Sequence, residues 1–196
     1  MMQATELSQE INRLLELMPA SGRMYCKIVS DEQQSAVIAR KLPLPNQEMR
    51  PVRINFRLWQ QLTQPQRDLL LLQSVSWLTS IRWFKPEPYQ GLAAAGAVLT
   101  GLELLQTNAA AAVTFGGLTL LALSQIWRKN RSNEAEIAAD EQAIRVAQRR
   151  GYSQAAAAKA LASALEQVAQ LEGRDLTVAE LLRQQQIQAH LSRSGA

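Results

Sequence analysis

Glu136 and Asp140 are the residues of this sequence whose types and spacing could do chemistry. They are four positions apart, so a helix would place both carboxylates on one face. Two carboxylates at that spacing could bind a metal ion or act as a general base. The neighbouring Glu141 and Arg145 have the spacing of an ordinary surface ion pair. That pattern favours the simpler interpretation of a solvated helix face.

The counts of cysteine and histidine exclude several kinds of metal site. The chain of 196 residues contains one Cys and one His. It therefore cannot build an internal disulfide framework, a zinc site made of cysteines, or any site that needs two histidines. We predict no catalytic residue, no bound metal and no cofactor.

The order of elements and one short motif resemble the HtpX-type membrane zinc metalloproteases. In that family one helix carries the zinc-binding pattern HExxH, and a later helix carries E-x-x-A-D, whose Glu is the third zinc ligand. Here a helix that begins near Thr63 is followed by a membrane-like hairpin and then by E-x-x-A-D over 136–140. The resemblance covers roughly residues 50–172.

The sequence departs from that family where the metal would bind. The segment from Gln73 to Trp77, which includes Ser74, stands in the place of HExxH and contains no histidine. Zinc needs two neutral imidazoles there, and a carboxylate between them must activate water. The resemblance therefore implies an inactive scaffold with a degenerate motif at Gln73, Ser74, Trp77, Glu136 and Asp140. In this scaffold Asp140 would order the packing between helices.

Three further segments resemble an uncharacterised family of cyanobacterial membrane proteins. These segments are Leu14–Arg23, Gln66–Leu69 and Tyr89–Gly96. This second resemblance covers nearly the whole chain. It implies a cyanobacterial cell, and hence a plasma or thylakoid membrane, but it implies no activity.

Sequence patterns predict an α+β fold that is mostly helical and has a small antiparallel sheet near the N-terminus. Apolar residues at helical spacing over 4–18 predict an amphipathic helix, either packed on the core or lying on a membrane surface. Three stretches have strand composition, and the first two should form a hairpin. These stretches are 24–29, 36–41 and 52–56.

Capping signals predict the remaining helices. Thr63 and Gln66 have the spacing of a capping box, and the helix that follows is apolar on most sides and should be buried. After residue 131 the pattern predicts a bundle of helices. Their predicted N-terminal caps are Ser132, Ser153 and the pair Thr177 with Glu180.

The 37 residues from Gly91 to Trp127 contain a single charged side chain, Glu103. The segments 88–107 and 108–127 would each span about 30 Å as helices, which is the thickness of a bilayer core. Basic residues flank both ends. The pattern therefore predicts a two-helix transmembrane hairpin with both termini in the cytoplasm.

These observations predict three parts. Residues 1–87 and 128–196 would form the N-terminal and C-terminal parts of one cytoplasmic domain. Residues 88–127 would form the transmembrane hairpin, and the protein would be an integral membrane protein. We predict a non-catalytic, membrane-anchored protein with an interaction, adaptor or assembly role. Its partners would be membrane lipid, an unidentified protein and a second copy of the chain; a net charge of +4 does not demand nucleic acid, and we predict none.

Two alternatives stay open at this point. The first is a diverged membrane hydrolase that uses Glu136 and Asp140. The second is a soluble helical interaction module, in which the Ala- and Gly-rich hairpin is buried within the domain or an oligomer.

Overall fold

Two compact units make up the chain. One is built from Met1–Ser80 and Asn133–Ala196, and the other from Ile81–Ser132. The structure, a computed structural model, describes residues 4–44, 47–81 and 133–194, together with Gly117 and Ser124. The helices and strands below belong to the first unit.

The fold is α+β and mostly helical. The helices are α1 (Ala4–Leu17), α2 (Ala20–Tyr25), α3 (Phe56–Trp59), α4 (Gln64–Ser80), α5 (Asn133–Gln148), α6 (Gln154–Leu171) and α7 (Val178–Ser194). The strands are β1 (Cys26–Ser30), β2 (Ile38–Arg40) and β3 (Arg50–Ile54).

The three strands form a mixed sheet in the order β1-β3-β2. Strand β1 pairs in parallel with β3, with Cys26 opposite Arg50, and β2 pairs antiparallel with β3. The predicted antiparallel sheet is therefore wrong, and so is the predicted hairpin, because β3 lies between β1 and β2. Strand composition marks where strands occur but does not choose their partners.

Asn55 fixes this arrangement at the end of β3. Its side-chain amide donates hydrogen bonds to the carbonyl oxygens of Glu32 and Gln34, which belong to the connection between β1 and β2. The carbonyl oxygen of the same amide accepts the backbone N–H groups of Arg57 and Leu58 and caps α3. One buried amide thus holds the connecting loop beside β3 and also begins the next helix.

Helix α4 lies at the centre of the helical part, and its residues from Asp68 to Leu78 are buried. At its start the side chain of Gln66 accepts the backbone N–H of Thr63 at 2.9 Å, which is one of the two hydrogen bonds of the predicted capping box. Leu69 and Leu72 pack in one cluster with small and aliphatic residues of α5, α6 and α7. A helix that is enclosed in this way needs no polar face.

Local signals also set the ends of the later helices. Ser153 caps α6 by accepting the N–H of Ala156, and Thr177 exchanges hydrogen bonds with Glu180 at the start of α7, as predicted. Gly151 and Gly173 follow α5 and α6 with φ values of 94° and 65°, the left-handed conformation that commonly ends a helix. The predicted cap Ser132 lies outside the described residues.

The predicted transmembrane hairpin requires a correction. Among residues 4–44, 47–81 and 133–194, no helix has both the length and the apolar character needed to cross a membrane. This finding contradicts the hairpin and the integral-membrane location derived from it. Apart from Gly117 and Ser124, the segment 88–127 on which that prediction rested lies outside the described residues.

We expect a Gly22→Ala substitution to destabilise the unit. A Cβ atom at Gly22 would lie 2.6 Å from the Cγ1 atom of Val75, so α2 could not keep its present distance from α4. Overpacking of this kind costs about 1–3 kcal/mol, more than the gain in helix propensity from Gly to Ala. Urea unfolding measures the loss, and Val75→Ala should reduce it in a double-mutant cycle. A more stable Gly22→Ala variant would contradict the close approach.

The unfolding free energy should fall as the pH drops from about 4.5 toward 2. Burial alone would raise the pKa of Glu180, but hydrogen bonds from Arg174 and Thr177 outweigh it and lower that pKa to about 2. Since the folded state then binds this proton less readily than the unfolded state, acid favours unfolding over this range. Thermal unfolding across this range should show a weaker pH dependence for Glu180→Gln than for the unaltered chain. Glu134→Gln on α5 is the control, and equal slopes for both variants would refute the assignment.

Candidate functional site

The structure brings the five sequence-predicted residues together around two arginines. Four elements contribute: β2, α4, α5 and α7. The resulting set, which we call the arginine–carboxylate cluster, consists of Arg40, Gln73, Ser74, Trp77, Glu136, Asp140 and Arg183.

Arg40 is directed into this cluster by the register of the sheet. It pairs with Val52, a residue of β3 that is fully buried, so its side chain extends toward the helices. Its guanidinium donates to Gln73 Oε1 at 3.0 Å and to Ser74 Oγ at 3.2 Å. Its carbon Cζ also lies 4.8 Å from the centre of the Trp77 ring, a cation–π distance.

Glu136 is the acceptor at the centre of the cluster. Its Oε2 atom accepts from Arg40 Nη2 at 2.5 Å and from Gln73 Nε2 at 2.8 Å. The same oxygen lies 3.6 Å from Arg183 Nη1. This carboxylate is therefore shared between two guanidinium groups and one amide.

Asp140 forms the most buried ion pair of the cluster. Arg183 donates to its two oxygens at 2.7 Å and 2.6 Å in a bidentate arrangement. Both side chains are less than 10 % exposed. A buried carboxylate is tolerated when its lone pairs are used in this way, because hydrogen bonds then replace those lost from water.

The pKa values of this pair show the balance between burial and pairing. Burial raises the pKa of Asp140 above its usual value, although the hydrogen bonds and charge of Arg183 act in the opposite direction. Burial would lower the pKa of Arg183, but Asp140 and Glu136 outweigh it and raise that pKa. The guanidinium consequently stays charged, and Asp140 serves as its acceptor.

Three of the four carboxylate oxygens of Glu136 and Asp140 are bound inside the cluster. A carboxylate that acts as a general base needs a free oxygen, but the Asp140 oxygens and Oε2 of Glu136 are bound to guanidinium groups. Within the described part of the chain, no group of three or more His, Cys, Asp or Glu side chains could hold a metal ion. A cation at Glu136 and Asp140 would have to displace both arginines.

Sequence reasoning missed the two arginines, which supply the positive charge of the cluster. Arg183 carried a usable signal, because it is four residues before the buried Ile187 and so shares its helix face. The sequence around Arg40 contains no such signal, because the direction of its side chain depends on how the strands pair. The same-face prediction for Glu136 and Asp140 concerned their spacing and gave no information on their partners.

A second polar cluster joins α1 to α4 and to the start of α6. Asp68, which is buried, accepts from Arg13 at 2.6 Å and from the Tyr152 hydroxyl at 2.8 Å. Burial and the hydrogen bond to Asp68 raise the pKa of Tyr152 to about 12. These residues line an open cleft of about 400 Å³ together with Arg150. Its lining combines two arginines with one aspartate, and Arg13 is already bound to that aspartate.

Loss of Arg183 should destabilise the unit far more than loss of a surface arginine. Arg183→Ala leaves Asp140 buried and without its partner, which costs about 3–5 kcal/mol. Arg145→Ala is the matched control, since that arginine faces Glu141 at 3.6 Å on the exposed side of α5 and contributes at most about 1 kcal/mol. Chemical denaturation compares the two variants. Similar losses in both would show that the buried pair has no special weight.

Comparisons with known proteins do not support the family resemblances from which the site residues were predicted. No curated protein and no solved structure matches the chain. No metalloprotease family is found, so the HtpX-type resemblance is wrong; it rested on element order and one five-residue motif. The cyanobacterial membrane-protein resemblance is likewise not supported.

A family model does match residues 12–152, which is well over half of the chain. The chain therefore belongs to the family described as "Protein of unknown function (DUF3318)".

Proposed function

We propose that this chain is a non-catalytic protein-interaction module. The observation that carries the proposal is a group of large apolar side chains exposed at one end of the sheet, which we call the apolar patch. Its members are Met24 (66 % exposed), Tyr25 (46 %), Leu44 (71 %) and Met49 (47 %).

The backbone brings the members of the patch together. Tyr25 and Met49 directly precede Cys26 and Arg50, which are opposite each other in the parallel pair, so these two side chains begin from neighbouring positions. The Gln47 N–H donates a hydrogen bond to the Leu44 carbonyl oxygen at 3.0 Å, which keeps Leu44 close to the residues that precede β3. Leu44 therefore lies near the same end of the sheet.

The residue types suit an interface. Tyrosine and methionine are enriched where proteins meet, because tyrosine buries a large area and methionine adapts its shape to the partner. Clustered exposed apolar residues of this size are also uncommon on a surface that meets only water. Scattered single apolar residues would not support the same proposal.

A rigid base supports the patch. Cys26 begins β1 and is buried, and Gly22 of α2 lies close against Val75 of α4. Arg50, next to Met49, donates a hydrogen bond to the carbonyl oxygen of Leu78 at the end of α4. A surface that is already ordered loses less conformational entropy when a partner binds.

The arginine–carboxylate cluster supports the non-catalytic part of the proposal. The hydrolase alternative needs Glu136 or Asp140 as a base, and three of their four carboxylate oxygens are bound by guanidinium groups. The same cluster explains these residues by their contribution to packing between four elements. We therefore expect the chain to act by binding other molecules at its surface.

Site-specific photo-crosslinking in the native cell tests the proposal. A photoreactive amino acid at Leu44 should give a discrete adduct with another protein, because Leu44 projects from the patch. The control position is Lys159, which is exposed on α6 and is not one of the exposed large apolar residues, and it should give none. An adduct of twice the chain mass would identify a second copy as the partner. Equal labelling at both positions, or no adduct from Leu44, Met24 and Met49, would refute the proposal.

A further inference from the structure

One face of the three-stranded sheet is turned away from the core. Alternate residues of β1 and β3 are buried: Cys26 and Ile28 in β1, and Val52 and Ile54 in β3. The residues between them, including Lys27 and Pro51, therefore extend from the opposite face. Lys27 is exposed and Pro51 is partly exposed.

This outer face carries three positive charges. Lys27 lies beside Pro51 in the register of β1 and β3, and Arg53 is two residues further along β3. Lys41 directly follows β2; since Arg40 is opposite Val52, Lys41 continues that register to the other side of Pro51. We call Lys27, Val29, Lys41, Pro51 and Arg53 the basic sheet face.

The charges of this face are weakly compensated. Asp31 approaches Arg53 at 3.8 Å, near the limit of an ion pair. Neither Lys27 nor Lys41 forms an ion pair within the ranges that the structure describes. The face thus combines two uncompensated lysines with the partly exposed Val29 and Pro51.

The face continues into the apolar patch. Met49 is two residues before Pro51 on the same chain segment, and Tyr25 is two residues before Lys27. The apolar patch and the basic sheet face are therefore continuous. Together they form one exposed surface that combines apolar side chains with positive charge.

We infer that the basic sheet face, together with the apolar patch, binds an acidic segment of a partner protein that also carries apolar side chains. This inference rests on the proposed function and adds the chemistry of the partner. Carboxylates of the segment would meet Lys27 and Lys41, while its apolar side chains would cover Met49 and Tyr25. Complementary charge would set the orientation and the rate of association.

The observations favour this occupant over a second copy of the chain. A symmetric dimer through the same face would place two sets of lysines against each other, and like charges at an interface cost binding energy. A nucleic acid is also less suited, because such sites use several aromatic platforms and more cations, whereas Tyr25 is the one aromatic residue in this set. Aliphatic Val29, Met49 and Pro51 suit protein side chains.

Binding of defined polymers to the full chain tests the inference. The probe is a random copolymer of glutamate and tyrosine, followed by fluorescence anisotropy at low and high salt. We expect it to bind more tightly than polyglutamate and to weaken as salt increases. The double variant Lys27→Glu/Lys41→Glu should lose affinity by about tenfold or more.

A matched control separates this face from general electrostatics. Arg149→Glu/Lys159→Glu makes the same change in net charge at exposed positions after α5 and on α6, and should change the affinity less than about twofold. Both double variants alter exposed residues, and their thermal unfolding checks that they fold. Equal losses in the two variants would overturn the inference.

Two competing probes complete the test. Tighter binding to polyuridylate, or to vesicles of phosphatidylglycerol, than to the acidic copolymer would overturn the inference in favour of a nucleic acid or a membrane. If Leu44 forms protein adducts in the cell but the acidic copolymer does not bind, the inference fails and the proposed function stands. If Leu44 forms no adduct, the proposed function fails by its own test.

Discussion

The fold depends on the neutralisation of two carboxylates, the buried Asp140 and the partly buried Glu136, by two arginines from distant parts of the chain. Glu136 and Asp140 belong to α5, whereas Arg40 comes from β2 and Arg183 from α7. In an interior of low polarity each charge is tolerated while its partner is present, and an unpaired member is costly. The sheet and the C-terminal helices are therefore coupled electrostatically to the same helix, although few apolar residues connect them directly.

The same constraint explains why a helix as apolar as α4 carries buried polar side chains. Gln73 meets Arg40 and Glu136, and Asp68 meets Arg13 and Tyr152. Leucines alone would allow α4 to rotate or slide among its neighbours with little change in packing energy. A polar group that loses its partner is penalised at once, so these contacts select one orientation and one register for the helix.

The sequence predicts those features that depend on neighbouring residues. Thr63 with Gln66, and Thr177 with Glu180, lie within one helical turn of each other, and their caps could be predicted from their spacing. The order of strands could not be predicted, because it depends on pairing between residues far apart in the sequence, such as Cys26 with Arg50. For the candidate site, the spacing predicted the shared face of the carboxylates, whereas Arg40 depends on a strand register that no local pattern encodes. The hairpin was predicted from local signals of the same kind, the near absence of charge over 91–127, the lengths of 88–107 and 108–127 and the basic residues that flank them.

The contrast between buried and exposed charges indicates where binding can reside. Arg40 and Arg183 are bound by carboxylates, and a ligand that recruited either one would have to break an ion pair on which the fold depends. Lys27 and Lys41 have no such role, since they extend from the sheet into solvent. A ligand can engage them without any loss of folding energy. If the basic sheet face binds a partner as proposed, substitutions at Lys27 and Lys41 should change binding while the fold stays intact, since neither lysine forms an ion pair within the described residues.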